Sequence, residues 1–147
     1  SRIMSLKDGS KKMSKSELSD LSRINLTDSK DQIINKIKKA KTDPLSMPKT
    51  VKELDQRFEA KNLIGIYSSL TNSTMEKSVE SFAGKNFSEF KEKLSEVLVD
   101  KIEPISLEIK KLLDDQSYLD KILLEGVEKA NLIASKKIKK IKEIVGF

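Results

Sequence analysis

Between Leu119 and Ile144 the apolar residues return every three or four positions: Leu119, Ile122, Leu123, Val127, Ala130, Ile133, Ala134, Ile138, Ile141 and Ile144. That spacing places them along one face of a helix with 3.6 residues per turn, and it conflicts with the two-residue alternation of a half-buried strand. Ser117-Tyr118-Leu119-Asp120 opens this helix and Gly146 is its natural stop. Gly126, Ala130 and Ala134 are small enough to let another helix approach closely. The same period recurs upstream in Ile33, Ile34, Ile37 and Ala40, in Leu63, Ile64, Tyr67 and Leu70, and in Phe90, Leu94, Val97 and Leu98. With 3 Pro and 5 Gly among 147 residues, little interrupts these patterns, and the predicted class is mainly α, a packed helical bundle. No internal repeat and no strict heptad seam is present.

Local signals divide the bundle. Thr27 and Asp28 are predicted N-caps for a first helix that Asp43-Pro44 stops. Pro44 and Pro48 mark a linker or excursion up to about Glu53, and a second helix is expected to end near Asn72. Ser73-Thr74-Met75-Glu76 reads as a capping box opening a third helix that closes at Gly84. Asn86 or Ser88 caps a long fourth helix, extended past Pro104 by Ile105, Ile109, Leu112 and Leu113, with Pro104 expected to kink or divide it. Residues 1–26 show no helical period. Arg2-Ile3-Met4-Ser5-Leu6 is strand-like, Asp8-Gly9-Ser10 is a turn, a Lys/Ser-rich mobile loop follows, and Ile24 and Leu26 suggest a second strand. The expected organisation is a short strand and loop unit over 1–26 and a helical domain over 27–147.

Composition removes whole classes of chemistry. The chain has no His and no Cys, so it builds no zinc finger, Ser-His-Asp triad, thiol nucleophile or disulfide. It has no Trp and 5% aromatics, too few for an aromatic platform under single-stranded nucleic acid. Asp114-Asp115, the one adjacent acidic pair, reads as a solvated helix end, and no metal site is expected. Tyr67 and Tyr118 lie on apolar faces and are predicted core residues. The longest uncharged run, Asn62 to Met75, is too short and too polar to span a bilayer, so no membrane association is expected. A start at Ser1-Arg2-Ile3, with no initiator Met and no signal-peptide pattern, reads as that of a fragment of a cytoplasmic protein.

The net charge of +6 permits an anionic partner. Six lysines between Lys129 and Lys142, with no acidic residue among them, equal that whole excess. They suit either a solvated outer face or, through Lys136, Lys137 and Lys140, contact with RNA phosphates. A different cluster, Lys11-Lys12-Met13-Ser14-Lys15-Ser16, lies outside any helical period behind Gly9-Ser10. Ammonium groups suit phosphate oxygens, serines add donors, and a Gly/Ser-flanked loop brings backbone N–H groups near an anion. Its charges alone equally fit a solvated basic loop.

Lys12-Met13-Ser14-Lys15-Ser16 is the second signature of class I aminoacyl-tRNA synthetases, and the likeness extends along the chain. Arg2-Ile3-Met4-Ser5-Leu6 leads into it as in bacterial tryptophanyl-tRNA synthetases. Lys36-Ile37-Lys38-Lys39-Ala40 with Thr42-Asp43, then Asn62-Leu63-Ile64, Ile66-Tyr67-Ser68, Gly84-Lys85 and Phe90-Lys91 resemble later landmarks of that family. Glu125-Gly126-Val127-Glu128-Lys129-Ala130-Asn131 with Ala134 is similar to its C-terminal helix. The tyrosyl enzymes are close in fold and chemistry; the lead-in and the tail favour tryptophan. Gly9 and Glu17 depart from the family's usual Pro and Asp, the stretch from Leu45 to Arg57 matches poorly, and the histidine-bearing first signature is not in this chain.

The resemblance implies the C-terminal portion of an enzyme that joins tryptophan and ATP, with Mg²⁺, into tryptophanyl-adenylate and then charges tRNA(Trp). Residues 1–26 would end its nucleotide-binding, Rossmann-like fold, and 27–147 would be its anticodon-binding helical domain, in a homodimer. By motif position Lys12 and Lys15 would be catalytic, holding the ATP phosphates as charge grows on pyrophosphate. Ser14 and Ser16 would donate hydrogen bonds, and Ile3 and Met13 would lie beside the adenosine, largely through their backbone. Gly9 would act as a hinge for loop closure on ATP. Taken alone the chain would be catalytically incomplete. Two other readings stand: a non-catalytic basic helical RNA-binding module, such as a split or remnant synthetase, and a purely structural bundle.

Overall fold

A computed structural model describes residues 2–146 and is mainly helical, as the apolar periods predict. Five helices follow in order: α1 (Lys30–Lys38), α2 (Phe58–Thr71), α3 (Met75–Phe82), α4 (Phe87–Asp114) and α5 (Gln116–Val145). Short 3-10 helices occupy Asp20–Ser22 and Val51–Gln56. The chain divides into two compact units, Ser1–Leu107 and Glu108–Phe147.

In the first unit the predicted faces become one core. Ile33 and Ile37 of α1, Leu63 and Ile64 of α2, and Phe90 and Leu94 of α4 are buried together with Leu6 from the N-terminal segment. Tyr67, Phe82 and Phe90 meet edge to face, with ring centroids 4.9 to 6.0 Å apart. Such pairs each add about 0.5–1.5 kcal/mol beyond the area they bury.

Helix starts follow hydroxyl and carboxylate geometry more finely than the sequence showed. Ser29, not Thr27 or Asp28, caps α1: its side chain accepts from the Gln32 N–H while the Gln32 side chain accepts from the Ser29 N–H. Asp28 is unavailable because its buried carboxylate serves Lys36 and Asn25. Thr74 caps α3, and Ser73 instead joins a chain of hydroxyl contacts with Thr71 and Ser78. Asn86 caps α4 through the Glu89 N–H, and Asp115, two residues before the expected Ser117, caps α5 through the Tyr118 N–H.

Other expectations change too. The Pro44–Glu53 excursion is anchored: Met47 is buried, its N–H donates to the Lys85 carbonyl, and its carbonyl accepts from Gly84. Of the two outcomes expected at Pro104, a kink or a division, the division does not occur, and α4 is one helix through it. Pro104 and Asp100 are both exposed residues, where water can serve the carbonyl that proline leaves without a donor. Residues 2–6 form one antiparallel bridge, Met4 to Lys12, rather than a full strand, and Ile24 and Leu26 belong to no strand. In the second unit α5 runs from the Asp115 cap to a left-handed Gly146 and has no buried residue. Tyr118 at its start is half exposed and is not a core residue.

Candidate functional site

The lysine loop is a tip carried on two stems, each held by a different helix. The first stem is a short antiparallel pairing in which the Ser5 N–H donates to the Lys11 carbonyl at 2.8 Å and the Met13 N–H to the Ile3 carbonyl at 3.1 Å. Its turn is closed by Asp8, whose carboxylate accepts from the Ser10 hydroxyl at 2.6 Å and the Ser10 N–H at 3.0 Å. Those bonds lower the Asp8 pKa from its usual value, against an opposing effect of desolvation and with a lesser contribution from Lys11.

The outer edge of this stem is completed by a side chain. Asn62, buried on α2, accepts the Met4 N–H and donates to the Met4 carbonyl, both at 2.9 Å, so one carboxamide does the work of a neighbouring strand. Gly9 is buried against the start of α2, where a Cβ would fall 2.6 to 2.7 Å from backbone atoms of Phe58 and Glu59. Its role is close approach of two backbones rather than the hinge expected from sequence.

The second stem leaves the loop through Asp20–Ser22, where the Ser22 carbonyl accepts the Leu6 N–H at 2.9 Å. Arg23 pairs with Asp20 at 3.0 Å and donates to the Glu17 carbonyl at 2.9 Å. Lys36 of α1, 3% exposed, places its ammonium 2.6 Å from both Asp20 and Asp28. The bond from Lys36, then that from Asn25, lowers the Asp20 pKa from its usual value.

From the end of the first stem onward most of the predicted residues face solvent. Lys12, Ser14, Lys15 and Ser16 are exposed, and neither lysine has an ion-pair partner among the described residues. The Ser14 and Ser16 hydroxyls lie 2.9 Å apart, and the Ser16 N–H donates to Ser14. Met13 is half-buried against the core, whereas Ile3 is 47% exposed. The tip thus offers two free ammonium groups and two hydroxyls, donors that fit phosphate oxygens. Asp8, the carboxylate in its turn, is engaged by Ser10 and Lys11, so the tip suits an anion rather than a metal ion. A groove of about 360 Å³ runs beside the first stem, lined by Ile3, Met4, Gly9, Asn62 and Gly65 among others.

Lys136, Lys137 and Lys140 are exposed on α5, in the second unit. The groups that hold the stems, Asn62 and Lys36, were not singled out from sequence as site residues. The available signal was a polar residue on an apolar stripe: Lys36 adjoins Ile37 and follows Ile33 by three, and Asn62 directly precedes Leu63 and Ile64. Among the described residues, no helix is long and apolar enough to cross a membrane.

Residues 1–102 match the family described as tRNA synthetases class I (W and Y). A tryptophan–tRNA ligase of Agrobacterium fabrum is 50% identical over 146 residues, 99% of this chain and 41% of that protein. One from Rickettsia felis is 49% identical, over 99% of this chain and 44% of that protein. The chain therefore spans well under half the length of these relatives. The fold matches the crystal structure of a Campylobacter jejuni tryptophanyl-tRNA synthetase complexed with ADP and tryptophan, at TM-score 0.78 and 23% identity, over 100% of this chain and 44% of that one. A Mycoplasma pneumoniae tryptophanyl-tRNA synthetase gives TM-score 0.70 at 24% identity, over 99% and 44%. The chain belongs to the class I tRNA synthetases, in the family that joins the tryptophan and tyrosine enzymes.

Proposed function

We propose that this chain is the latter part of a tryptophan–tRNA ligase and that its loop binds the phosphates of ATP during formation of tryptophanyl-adenylate. The observation that carries the reading is that Lys12, Ser14, Lys15 and Ser16 are exposed, the two lysines without ion-pair partners among the described residues, beside two anchored stems in a chain 50% identical to a tryptophan–tRNA ligase. Lys12 and Lys15 stabilise the negative charge that gathers on the departing pyrophosphate, an effect greatest in the transition state. Ser14 and Ser16 supply hydrogen bonds, and Ile3 and Met13, joined through their backbones, border the adenosine. Mg²⁺ enters with the nucleotide; the tip's ammonium and hydroxyl groups address the phosphates.

In this reading residues 1–26 close the nucleotide-binding domain and 27–147 form the helical domain that meets tRNA(Trp), in a cytoplasmic homodimer. Lys136, Lys137 and Lys140 contact tRNA phosphates. A chain without histidine lacks the usual first signature of the class and does not complete the reaction by itself. The test is ATP–pyrophosphate exchange by the full-length protein carrying Lys15→Ala. The expected result is a fall of about 10²- to 10³-fold in kcat with the KM for tryptophan nearly unchanged; exchange at the wild-type rate rules the role out.

A further inference from the structure

Lys36 has no part in the reaction proposed above, yet it is the most deeply buried charged side chain of the first unit, at 3% exposure. A buried ammonium requires a partner, and Asp28, 5% exposed and 2.6 Å away, already neutralises it. Asp20 is therefore a second carboxylate on the same ammonium, also at 2.6 Å, although its own side chain is 53% exposed. Asp20 lies four residues beyond Ser16, the last residue of the signature. It also accepts from Asn25 at 2.9 Å and pairs with Arg23, whose other nitrogen reaches the Glu17 carbonyl. Three donors thus converge on one exposed carboxylate, and one of them also grips the backbone immediately after Ser16. Satisfying Lys36 alone does not require this; fixing the end of the loop does.

We infer that Lys36 is a positioning residue for the phosphate-binding loop, acting through Asp20. The inference rests on the reading that the loop binds ATP phosphates. Holding residues 17–20 to α1 limits where the Lys15 ammonium can travel, and a misplacement of about 1 Å is enough to cost catalysis heavily. Asp20 is the informative position because it is half exposed and Asp28 still neutralises Lys36 without it, so its removal leaves the core intact.

The experiment uses the full-length protein in pyrophosphate exchange, with ATP and tryptophan varied separately and Tm recorded. Asp20→Ala is expected to lower kcat/KM for ATP about tenfold, an order below the limit for such misplacement, with the KM for tryptophan and Tm held. Asp20→Asn, which keeps an acceptor for Lys36, recovers most of the loss. Asp55→Ala, which deletes an exposed ion pair with Lys61, leaves the ATP parameters unchanged. Wild-type ATP parameters in Asp20→Ala, alongside a strong defect in Lys15→Ala, overturn the positioning role and leave the loop's function standing. A lower Tm with both substrates affected alike overturns it in favour of a structural bridge. An unaffected Lys15→Ala removes the underlying reading itself.

Discussion

Helices α1 and α5 carry the same apolar period and meet opposite fates. In α1, Ile33 and Ile37 are wholly buried, whereas in α5, Ile133 and Ile138 remain 67% and 54% exposed. Periodicity states which face of a helix is apolar; it does not state what covers that face. In the first unit the covering partners are in the chain, and the same packing that buries α1 and α2 also holds the loop stems. In the second unit α5 stands with its apolar side chains uncovered. Stability in this chain should therefore be concentrated in the first unit, and substitutions can break or sharpen that contrast.

The largest effect is expected in the aromatic cluster. Phe90→Ala should destabilise the chain by about 3–5 kcal/mol in urea unfolding, while Ile133→Ala shifts it by less than about 0.5 kcal/mol. Equal costs at the two sites would erase the contrast. Next comes Gly9→Ala, which forces a methyl into the backbone of Phe58 and Glu59; a loss of about 1–3 kcal/mol is expected from overpacking. Asn62→Ala strips partners from both backbone groups of Met4 and should cost about 1–2 kcal/mol, with the chemical-shift changes in an NMR spectrum centred on residues 3–6.

The smallest effect is a pH dependence. Partial burial pushes the Asp43 pKa up, but the paired bonds from Arg57 and the Leu45 N–H outweigh it, and the net direction is down. A carboxyl lowered in the folded state adds stability above its unfolded pKa and loses it as pH falls through the folded one. Arg57→Met should therefore flatten the acid side of the stability profile while leaving the shape near neutrality unchanged. Thermal unfolding across the acid range checks this.

Much of the fold was legible because helices announce themselves through spacing: α2 ends at the left-handed Asn72 and α5 at Gly146, where sequence placed them. Asn86 caps α4 as the sequence predicts, whereas the caps of α1, α3 and α5 lie one or two residues from the expected ones, because several hydroxyl and carboxylate side chains sit at each start and only geometry selects one. Lys12 to Ser16 reads as a loop because its charges follow Gly9-Ser10 and, with Met13 the one apolar residue among them, no helical period runs through them. The stems did not, because Asn62 and Lys36 act across 58 and 16 residues of sequence, on Met4 and Asp20. Gly9 was misread for the same reason: the backbone it approaches is that of Phe58.

The central claim is that α1 and α2 hold both stems and leave the tip free, and amide hydrogen exchange along residues 4–22 tests it directly. Met4, Ser5, Leu6 and Met13, whose N–H groups donate to Asn62, Lys11, Ser22 and Ile3, should exchange slowly. Lys15 and Leu18, whose N–H groups have no acceptor among the described residues, should exchange near the rate of an unprotected peptide. Fast exchange at all of these positions, or protection continuing through Lys15, would contradict the account.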